Sequence, residues 1–426
     1  MQINSICVIG LGYIGLPTAS TFASRGVKVV GVDNNPEVVK SLQSGRVHIF
    51  EPGLDEVVKN ALASGNLQVV SAPVPADVFV IAVPTPFFNG KKADMRAVDA
   101  AAQSIVPVLR RGNLVVLEST SPPLTTRDRV LPILEKSGLK AGSDFLLAYS
   151  PERVLPGRIM QELIGNDRVI GGIDQPSAEA GRDLYSIFVE GTIHLTDATT
   201  AEMVKLMENT YRDINIAIAN EFSRLADRFG VDIWEAIQIA NKHPRVKILN
   251  PGPGVGGHCI SVDPWFLVEA APEITPLILN ARQVNDGQPH FVMKMLSDRL
   301  GNLSGKTIAV LGLAFKPDVD DLRESPAVEV AEMLAKAGAN VKACEPFKPD
   351  FNLSGVTVSG SLKDTVDGAD AVVLLVAHTQ FKEITPTILK EYTECDLVFD
   401  CVNLFNLTDW NNAGFNLIRL GDTKNR

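Results

Sequence analysis

The feature that most restricts the fold of this chain is a repeated alternation of short apolar runs with helix-length segments. In the first part of the chain these runs are Ile6–Ile9, Val27–Val32, Val78–Val83, Leu114–Leu117 and Phe145–Ala148. Runs of this length and composition are typical of strands buried on both faces, with helices connecting parallel neighbours. The alternation resumes with Lys306–Gly312, Val341–Cys344, Ala371–Val376 and Leu397–Phe399. The chain is therefore predicted to contain two parallel sheets.

A long helical pattern separates the two sheets. From Thr199 to Phe229 apolar residues recur every three or four positions, and Gly230 is a suitable helix terminator. Because 426 residues exceed what one hydrophobic core normally spans, we expect several domains. The predicted divisions are 1–198, a helical middle domain over 199–300, and 301–426. The polar C-terminal residues 421–426 are expected to be frayed.

Composition excludes several classes of protein. The formal net charge of −10 argues against general nucleic-acid binding, although local basic residues still permit an anionic small ligand. The five cysteines are scattered without CxxC spacing, so neither a metal site nor a disulfide framework is expected. The start of the chain resembles a strand and not a signal peptide, and no apolar run is long enough to span a membrane. These features favour a cytoplasmic protein that does not act at a membrane.

A glycine motif follows the first apolar run. Gly10, Gly12 and Gly15 match GxGxxG, with Tyr13 and Ile14 in the same turn and a helical pattern after it. In a dinucleotide site such glycines allow a tight turn, close approach of the pyrophosphate and close helix packing. Asp33 ends the next run at the spacing of an acid that binds a ribose diol. The motif predicts Rossmann-like doubly wound folding and NAD in preference to NADP; the alternative is a glycine turn without cofactor.

Threonines follow two later apolar runs. Thr85 lies after the third run, and Thr120 and Thr126 follow the fourth. Because ligands of open α/β sheets bind at the carboxyl ends of strands, these residues are candidates for cofactor contact. The alternative is that all three are ordinary turn residues.

A glycine-rich segment, residues 250–265, contains Cys259 and, four residues later, Asp263. A thiol on such a loop is able to reach a bound substrate and to capture an aldehyde as a thiohemiacetal. The alternative is an inert, buried cysteine.

Three polar residues share one stripe of the long predicted helix. Lys205, Asn209 and Arg212 are spaced i, i+4 and i+7. A lysine beside an asparagine is able to stabilise the alkoxide that forms when an alcohol is oxidised, and to exchange a proton. The alternative is a solvated helix face.

With these motifs the chain resembles the UDP-glucose/GDP-mannose dehydrogenase family along nearly its whole length. The most specific segments are Gly256-Gly257-His258-Cys259, Ser150-Pro151-Glu152-Arg153 and Leu313-Ala314-Phe315-Lys316-Pro317. The resemblance implies two Rossmann-like domains joined by a long central helix, and a four-electron oxidation of a UDP-sugar that uses two NAD. It further implies a homodimer built across the long helix.

The resemblance also implies roles for individual residues. The implied catalytic residues are Cys259, Lys205, Asn209 and Asp263, and Arg323 is an implied cofactor contact from the C-terminal domain. His258 is interpreted as a loop-packing residue. The implied nucleotide-sugar contacts, beside Lys205 and Asn209, are Arg153, Val154, Arg212, His243, Arg245, Gly256, Phe315 and Lys316.

The expected reaction converts UDP-N-acetyl-D-mannosamine to its uronate for a surface polysaccharide. This choice of sugar is implied by the resemblance, which is most detailed in the segments Glu152–Gly157, Asn241–Val246 and His258–Phe266; no residue by itself settles the stereochemistry of the sugar. UDP-N-acetylglucosamine and UDP-glucose remain alternatives with the same chemistry. A two-electron hydroxyacid dehydrogenase, which needs no cysteine, and a non-enzymatic NAD-sensing module are the remaining alternatives.

Overall fold

The computed structural model describes residues 3–88 and 91–424. They form two compact units. The first holds the chain up to Glu208 together with Trp265–Pro272, and the second holds Asn209–Pro264 and the chain from Glu273 onward. Over the described residues, no helix combines the length and apolarity needed to cross a membrane.

The first unit contains a doubly wound sheet. Its strands and a small separate hairpin, β5 with β6, are β1 (Ser5–Ile9), β2 (Lys28–Val32), β3 (Leu67–Val70), β4 (Val78–Ile81), β5 (Phe87–Phe88), β6 (Lys92–Ala93), β7 (Leu114–Leu117), β8 (Leu146–Tyr149), β9 (Arg168–Gly172) and β10 (Ile193–Asp197). The order in the sheet is β10-β9-β8-β7-β4-β1-β2-β3. The chain therefore changes direction across the sheet between β1 and β4, which is where open α/β sheets bind ligands. The predicted parallel pattern has one exception, the antiparallel pair β8 and β9.

Helices cover both faces of this sheet. They are α1 (Gly15–Ser24), α2 (Pro36–Gln43), α3 (Leu54–Ala63), α4 (Arg96–Ile105), α5 (Leu131–Leu134), α6 (Ile159–Gly165) and α7 (Gln175–Tyr185). Alternate residues of β1 supply two different cores, with Ile6 and Val8 on one face and Cys7 and Ile9 on the other. Both faces are buried, which explains why the strands are continuously apolar.

The long helix predicted from the sequence is α8 (Ala198–Phe229). The Asp197 carboxylate caps its start by accepting hydrogen bonds from the backbone N–H and the hydroxyl of Thr200. Gly230, with a φ of +71°, ends it as predicted. The apolar positions of this helix do not all face a core, because Met207, Ile218, Phe222, Leu225 and Phe229 are exposed.

The second unit repeats the doubly wound order. Its helices and strands, in which α10 continues into the first unit, are α9 (Ile233–Ala240), α10 (Asp263–Ala270), α11 (Pro276–Asp286), α12 (Gln288–Leu300), β11 (Thr307–Leu311), α13 (Pro326–Lys336), β12 (Asn340–Cys344), β13 (Val356–Ser359), α14 (Leu362–Val366), β14 (Ala371–Leu374), α15 (Pro386–Tyr392), β15 (Leu397–Asp400), α16 (Leu407–Asn412) and β16 (Asn416–Arg419). The sheet order is β13-β12-β11-β14-β15-β16 with all pairs parallel.

The predicted fraying of residues 421–426 is wrong for the part that the structure describes. The Gly421 carbonyl accepts a hydrogen bond from Ile233 N–H, and the Thr423 hydroxyl donates to carbonyls at the end of α8. Residues 425 and 426 lie outside the described residues. Tertiary hydrogen bonds therefore hold residues 421–423 in place, although their polar sequence gave no indication of such contacts.

Candidate active site

The glycine turn lies between β1 and α1. Gly10 has a φ of +94°, and a Cβ there would approach the Ala82 carbonyl oxygen to 2.5 Å. A Cβ on Gly15 would collide with the Gly10 carbonyl oxygen, so both positions require glycine. At Gly12, in contrast, a Cβ would meet no protein atom within 4 Å. The space beside Gly12 is open, as close approach of a pyrophosphate requires.

Asp33 stands beside this turn at the carboxyl end of β2. Its Oδ2 accepts a hydrogen bond from Leu11 N–H at 3.0 Å and its Oδ1 accepts one from Asn35 N–H at 2.9 Å. The carboxylate is half-buried and keeps acceptor capacity for a ribose diol. The residues present therefore fit an NAD site. Tyr13 and Ile14, both half-buried, lie between the turn and α1.

The three candidate threonines differ in their surroundings. Thr85 and Thr120 are half-buried in turns that follow β4 and β7. Thr126 is fully buried, and both its backbone N–H and its hydroxyl donate to Glu202 Oε1, at 2.7 and 2.6 Å. Glu202 also accepts a hydrogen bond from Leu124 N–H. The structure thus gives Thr126 a protein partner, which the sequence pattern alone did not indicate.

A buried charged cluster lies at the carboxyl ends of β7 and β8. Arg168 pairs with Glu118 at 2.8 Å and with Glu152 at 3.0 Å, and its guanidinium lies 3.9 Å from the ring centroid of Tyr185. Burial raises the pKa of Glu118 to about 7 despite the neighbouring guanidinium. Because β9 runs antiparallel to β8, its first residue lies at this edge of the sheet. The sequence reasoning missed the cluster, since no local motif contains its members together.

Arg153, next to this cluster, is a proposed nucleotide-sugar contact. Its backbone N–H donates to Glu152 Oε1 at 2.8 Å, and its guanidinium pairs with Glu208 at 2.6 Å and donates to the Asp167 carbonyl. Val154 follows, half-buried, in the same segment. The cluster and these contacts give the segment a defined position in the first unit.

The polar stripe of α8 is largely buried. Lys205 is 8% exposed and Asn209 is 9% exposed, so a solvated face is the wrong interpretation for these two. Arg212 is exposed. In the second unit, Asn209 Nδ2 donates to Asp263 Oδ2 at 2.5 Å, and Asp263 is 2% exposed. Both residues were predicted as site residues from the sequence, but only the fold shows that they are joined by a hydrogen bond.

The cysteine loop is closely packed around its glycines. A Cβ on Gly256 would approach the Glu324 carbonyl oxygen to 2.5 Å, and one on Gly257 would meet the Phe315 ring. The Cys259 carbonyl accepts a hydrogen bond from Asp263 N–H at 2.8 Å, which links the cysteine to the start of α10. Phe315 and the cysteine loop, which lie far apart in the sequence, are thus in direct contact.

Cys259 differs from the other cysteines in its surroundings. It is half-buried, as is Cys395, whereas Cys7, Cys344 and Cys401 are buried in strands or at strand ends. Burial raises the pKa of Cys7 to about 11 and that of Cys344 to about 12, so these thiols are inert. Among the five cysteines, only Cys259 combines access with a glycine-rich loop.

His258, the residue before this cysteine, has charged neighbours. Its Nδ1 lies 3.5 Å from Asp321 Oδ2 and 3.1 Å from an Arg323 guanidinium nitrogen. A hydrogen bond to Asp321, and to a smaller extent one to Cys259, raises the pKa of His258 to about 9. His258 thus packs in the loop as part of a hydrogen-bonded group with Asp321 and Arg323.

The remaining predicted contacts of the second unit lie on loops. Phe315 and Lys316 are half-buried after β11, and Arg323 is exposed and paired with Asp321. His243 and Arg245 are exposed on the loop after α9, where His243 Nδ1 accepts a hydrogen bond from Arg245 N–H at 3.3 Å. This loop therefore presents a cation and an imidazole to solvent.

Comparison with known proteins identifies the family. Three family models match in series: the NAD binding domain of the UDP-glucose/GDP-mannose dehydrogenase family over residues 4–189, its central domain over 199–287, and its UDP binding domain over 309–407. The chain belongs to the UDP-glucose/GDP-mannose dehydrogenase family. It is an NAD-dependent UDP-sugar dehydrogenase. The alternatives of a hydroxyacid dehydrogenase and of a non-enzymatic binding module are thereby removed.

Individual members of the family are similar over nearly their full length. The UDP-N-acetyl-D-mannosamine dehydrogenase of Methanocaldococcus jannaschii is 47% identical over 426 residues, covering 99% of this chain and 97% of the relative. The NDP-N-acetyl-D-galactosaminuronic acid dehydrogenase of Ralstonia nicotianae is 48% identical over 396 residues, covering 90% of this chain and 93% of the relative. The solved structure of a UDP-D-ManNAc dehydrogenase of Pyrococcus horikoshii is 42% identical in sequence with a TM-score of 0.91, and the match covers 99% of this chain and 100% of that chain.

Proposed function

We propose that this enzyme oxidises UDP-N-acetyl-D-mannosamine to UDP-N-acetyl-D-mannosaminuronate for a surface polysaccharide. The observation that carries the proposal is the half-buried Cys259 on its glycine loop, linked by a backbone hydrogen bond to the buried Asp263–Asn209 pair. NAD, when bound, accepts a hydride in each of two oxidations. One alcohol, two NAD⁺ and one water thus give one carboxylate, two NADH and three protons.

Cys259 is the proposed nucleophile of the second oxidation. Its sulfur adds to the aldehyde carbon, giving a thiohemiacetal, and loss of hydride from that carbon gives a thioester. Water then breaks the carbon–sulfur bond, releasing the uronate and the thiol.

Lys205 and the Asn209–Asp263 pair serve the oxyanion and the water. Because Lys205 is buried, its ammonium interacts strongly with an alkoxide and is able to exchange a proton with it. Asp263 is ordered by Asn209 and is the proposed acceptor of a proton from the hydrolytic water. These roles require that Lys205 and Asp263 have little contact with bulk solvent. Both side chains are buried, which supports the proposal.

The other predicted site residues keep their proposed roles. Guanidinium and ammonium groups of Arg153, Arg212, Arg245 and Lys316 suit a UDP diphosphate within an acidic protein. Val154, His243, Gly256 and Phe315 are the proposed sugar and uridine contacts. The proposed NAD contacts are Gly10, Gly12, Tyr13, Ile14, Gly15, Asp33, Thr85, Thr120, Thr126 and Arg323. The domain divisions 1–198, 199–300 and 301–426 also remain proposals.

The proposed assembly is a homodimer formed across α8. Six large hydrophobic side chains of this helix are exposed in the single chain, and Phe229 is 70% exposed. Three of them, Phe222, Leu225 and Phe229, line an apolar groove of about 410 Å³ together with residues of α9. Burying such a contiguous apolar surface against a second copy removes its contact with water. The proposed location is the cytoplasm, where cysteines stay reduced.

The substrate is tested with a panel of UDP-sugars. The panel contains the N-acetylated mannosamine, glucosamine and galactosamine derivatives and UDP-glucose, because relatives named for different sugars are about equally similar. We expect the highest kcat/KM with UDP-N-acetyl-D-mannosamine, two NADH per sugar, and a product heavier than the alcohol by one oxygen less two hydrogens. Preferential turnover of another sugar refutes the substrate, and one NADH per sugar refutes the acid-forming chemistry.

A further inference from the structure

The two sheets of the enzyme carry equivalent turns with an acid beside each. Gly10 after β1 and Gly312 after β11 have φ values of +94° and +87°. Asp33 directly follows β2, the strand next to the first turn, and Glu345 directly follows β12, the strand next to the second. Each acid accepts a hydrogen bond from the residue after the glycine, Leu11 N–H at 3.0 Å and Leu313 N–H at 2.7 Å. Glu345 therefore occupies the place in the second sheet that Asp33 occupies in the first.

The two acids differ in what else they bind. Asp33 is half-buried, whereas Glu345 is fully buried. Besides Leu313 N–H, Glu345 accepts hydrogen bonds from Ala314 N–H at 2.9 Å, Phe347 N–H at 3.1 Å and the His378 imidazole at 3.2 Å. Four donors of the chain itself occupy this carboxylate, so it is not free to bind a ribose diol.

His378 connects this acid to the far end of the same loop. Its Nδ1 accepts a hydrogen bond from Asp318 N–H at 2.9 Å, so the proton of the neutral ring lies on Nε2 and is donated to Glu345. Asp318 has a φ of +61°, and its carboxylate accepts hydrogen bonds from the Thr379 N–H and hydroxyl. The ring centroid of His378 lies 5.0 Å from that of Phe347. The segment 313–318 is thus held at its start by Glu345 and at its end by His378.

We propose that Glu345 and His378 are positioning residues for the nucleotide sugar, because they hold the segment that presents Phe315 and Lys316 in its binding conformation. The proposal rests on the proposed contacts of these two residues with the substrate. Burial on its own raises the pKa of Glu345, but hydrogen bonds from His378, Leu313 and Phe347 outweigh it and hold the pKa below its ordinary value.

Glu345→Gln in the full-length enzyme tests this proposal. All four neighbours of the carboxylate are donors, and a carboxamide replaces one acceptor oxygen with an NH₂ group that faces them. Only a fraction of the molecules then holds the loop in its binding conformation, and the apparent Kd rises by the inverse of that fraction. We expect the Kd of UDP, measured by calorimetry, to rise about tenfold, while that of NADH stays within about twofold.

The matched control is Asp400→Asn. Asp400 is also a fully buried carboxylate at a strand end of the same sheet, and it accepts hydrogen bonds from Val402 N–H and Phe405 N–H. We expect it to lower the melting temperature as Glu345→Gln does while leaving the Kd of UDP unchanged. His378→Phe keeps the ring contact with Phe347 and serves as a second variant if Glu345→Gln does not fold; it is expected to weaken UDP binding in the same way.

The outcomes separate this proposal from the function itself. An unchanged Kd of UDP in both test variants, or an equal loss in the Asp400→Asn control, overturns the positioning role while the UDP-sugar assignment stands. A parallel loss of NADH and UDP affinity also overturns it, since it indicates general destabilisation. If the unmodified enzyme binds no UDP, both the proposed function and this inference fail.

Discussion

Gly12→Ala separates cofactor binding from folding. A Cβ at this position meets no protein atom within 4 Å, and the residue has no left-handed φ. Alanine therefore costs the fold little, and we expect the melting temperature to stay within about 2 °C of the unmodified enzyme. The methyl group instead occupies the space that the pyrophosphate of NAD approaches.

The expected loss of NAD affinity follows from the contacts that the methyl group displaces. Two hydrogen bonds between backbone N–H groups and a charged phosphate contribute about 1.5 kcal/mol each. Their loss, about 3 kcal/mol, raises the Kd of NADH roughly a hundredfold. Fluorescence titration with NADH measures this change, and calorimetry with UDP checks that the second unit is unaffected.

Gly15→Ala is the comparison variant. A Cβ there collides with the Gly10 carbonyl oxygen, so the melting temperature itself should fall. The reasoning is refuted if Gly12→Ala binds NADH normally, or if it loses stability and UDP affinity to the same extent as Gly15→Ala.

Three further changes test other parts of the enzyme. Cys259→Ser should release aldehyde and about one NADH per sugar, because the hydroxyl is a weaker nucleophile; normal yield of acid by mass spectrometry contradicts its role. Burial raises the pKa of Glu118 from 4.5 to about 7, so the folded state binds a proton that the unfolded state has released, and this contribution to stability is lost as the pH rises through about 7. Glu118→Gln should therefore flatten the fall in unfolding free energy between pH 4.5 and about 7, measured by denaturant titration; an unchanged slope argues against the shift. Phe222→Glu, at an exposed position of α8, should give monomers in light scattering, whereas a dimer that persists excludes this helix as the interface.

Local patterns were sufficient to predict much of the fold. Every strand predicted in the two sheets is present, with ends shifted by at most two residues, as Val78–Val83 is replaced by Val78–Ile81. The helix expected from Thr199 to Phe229 begins one residue earlier. Short buried strands, a glycine turn and helix periodicity depend on neighbours in the sequence, and such signals are visible without tertiary contacts.

Other parts of the site could not be predicted from any local pattern. Arg168 meets Glu118 and Glu152 only because β9 runs antiparallel to β8. Glu345 and His378 lie 33 positions apart and meet at the carboxyl ends of β12 and β14. Neither cluster has a spacing that distinguishes it from ordinary charged residues near strand ends.

The amino-acid sequence by itself determined the two doubly wound sheets, the long helix and the glycine turn after β1, and it singled out Cys259 as the proposed nucleophile, because each of these signals lies in residues close together in the chain. Tertiary structure alone decided which polar groups are buried away from water, and which groups then form hydrogen bonds with them. Asn209 with Asp263, Thr126 with Glu202 and Leu313 with Glu345 are such pairs. A buried polar group requires a partner, and only the folded chain determines which residue is near enough to supply it.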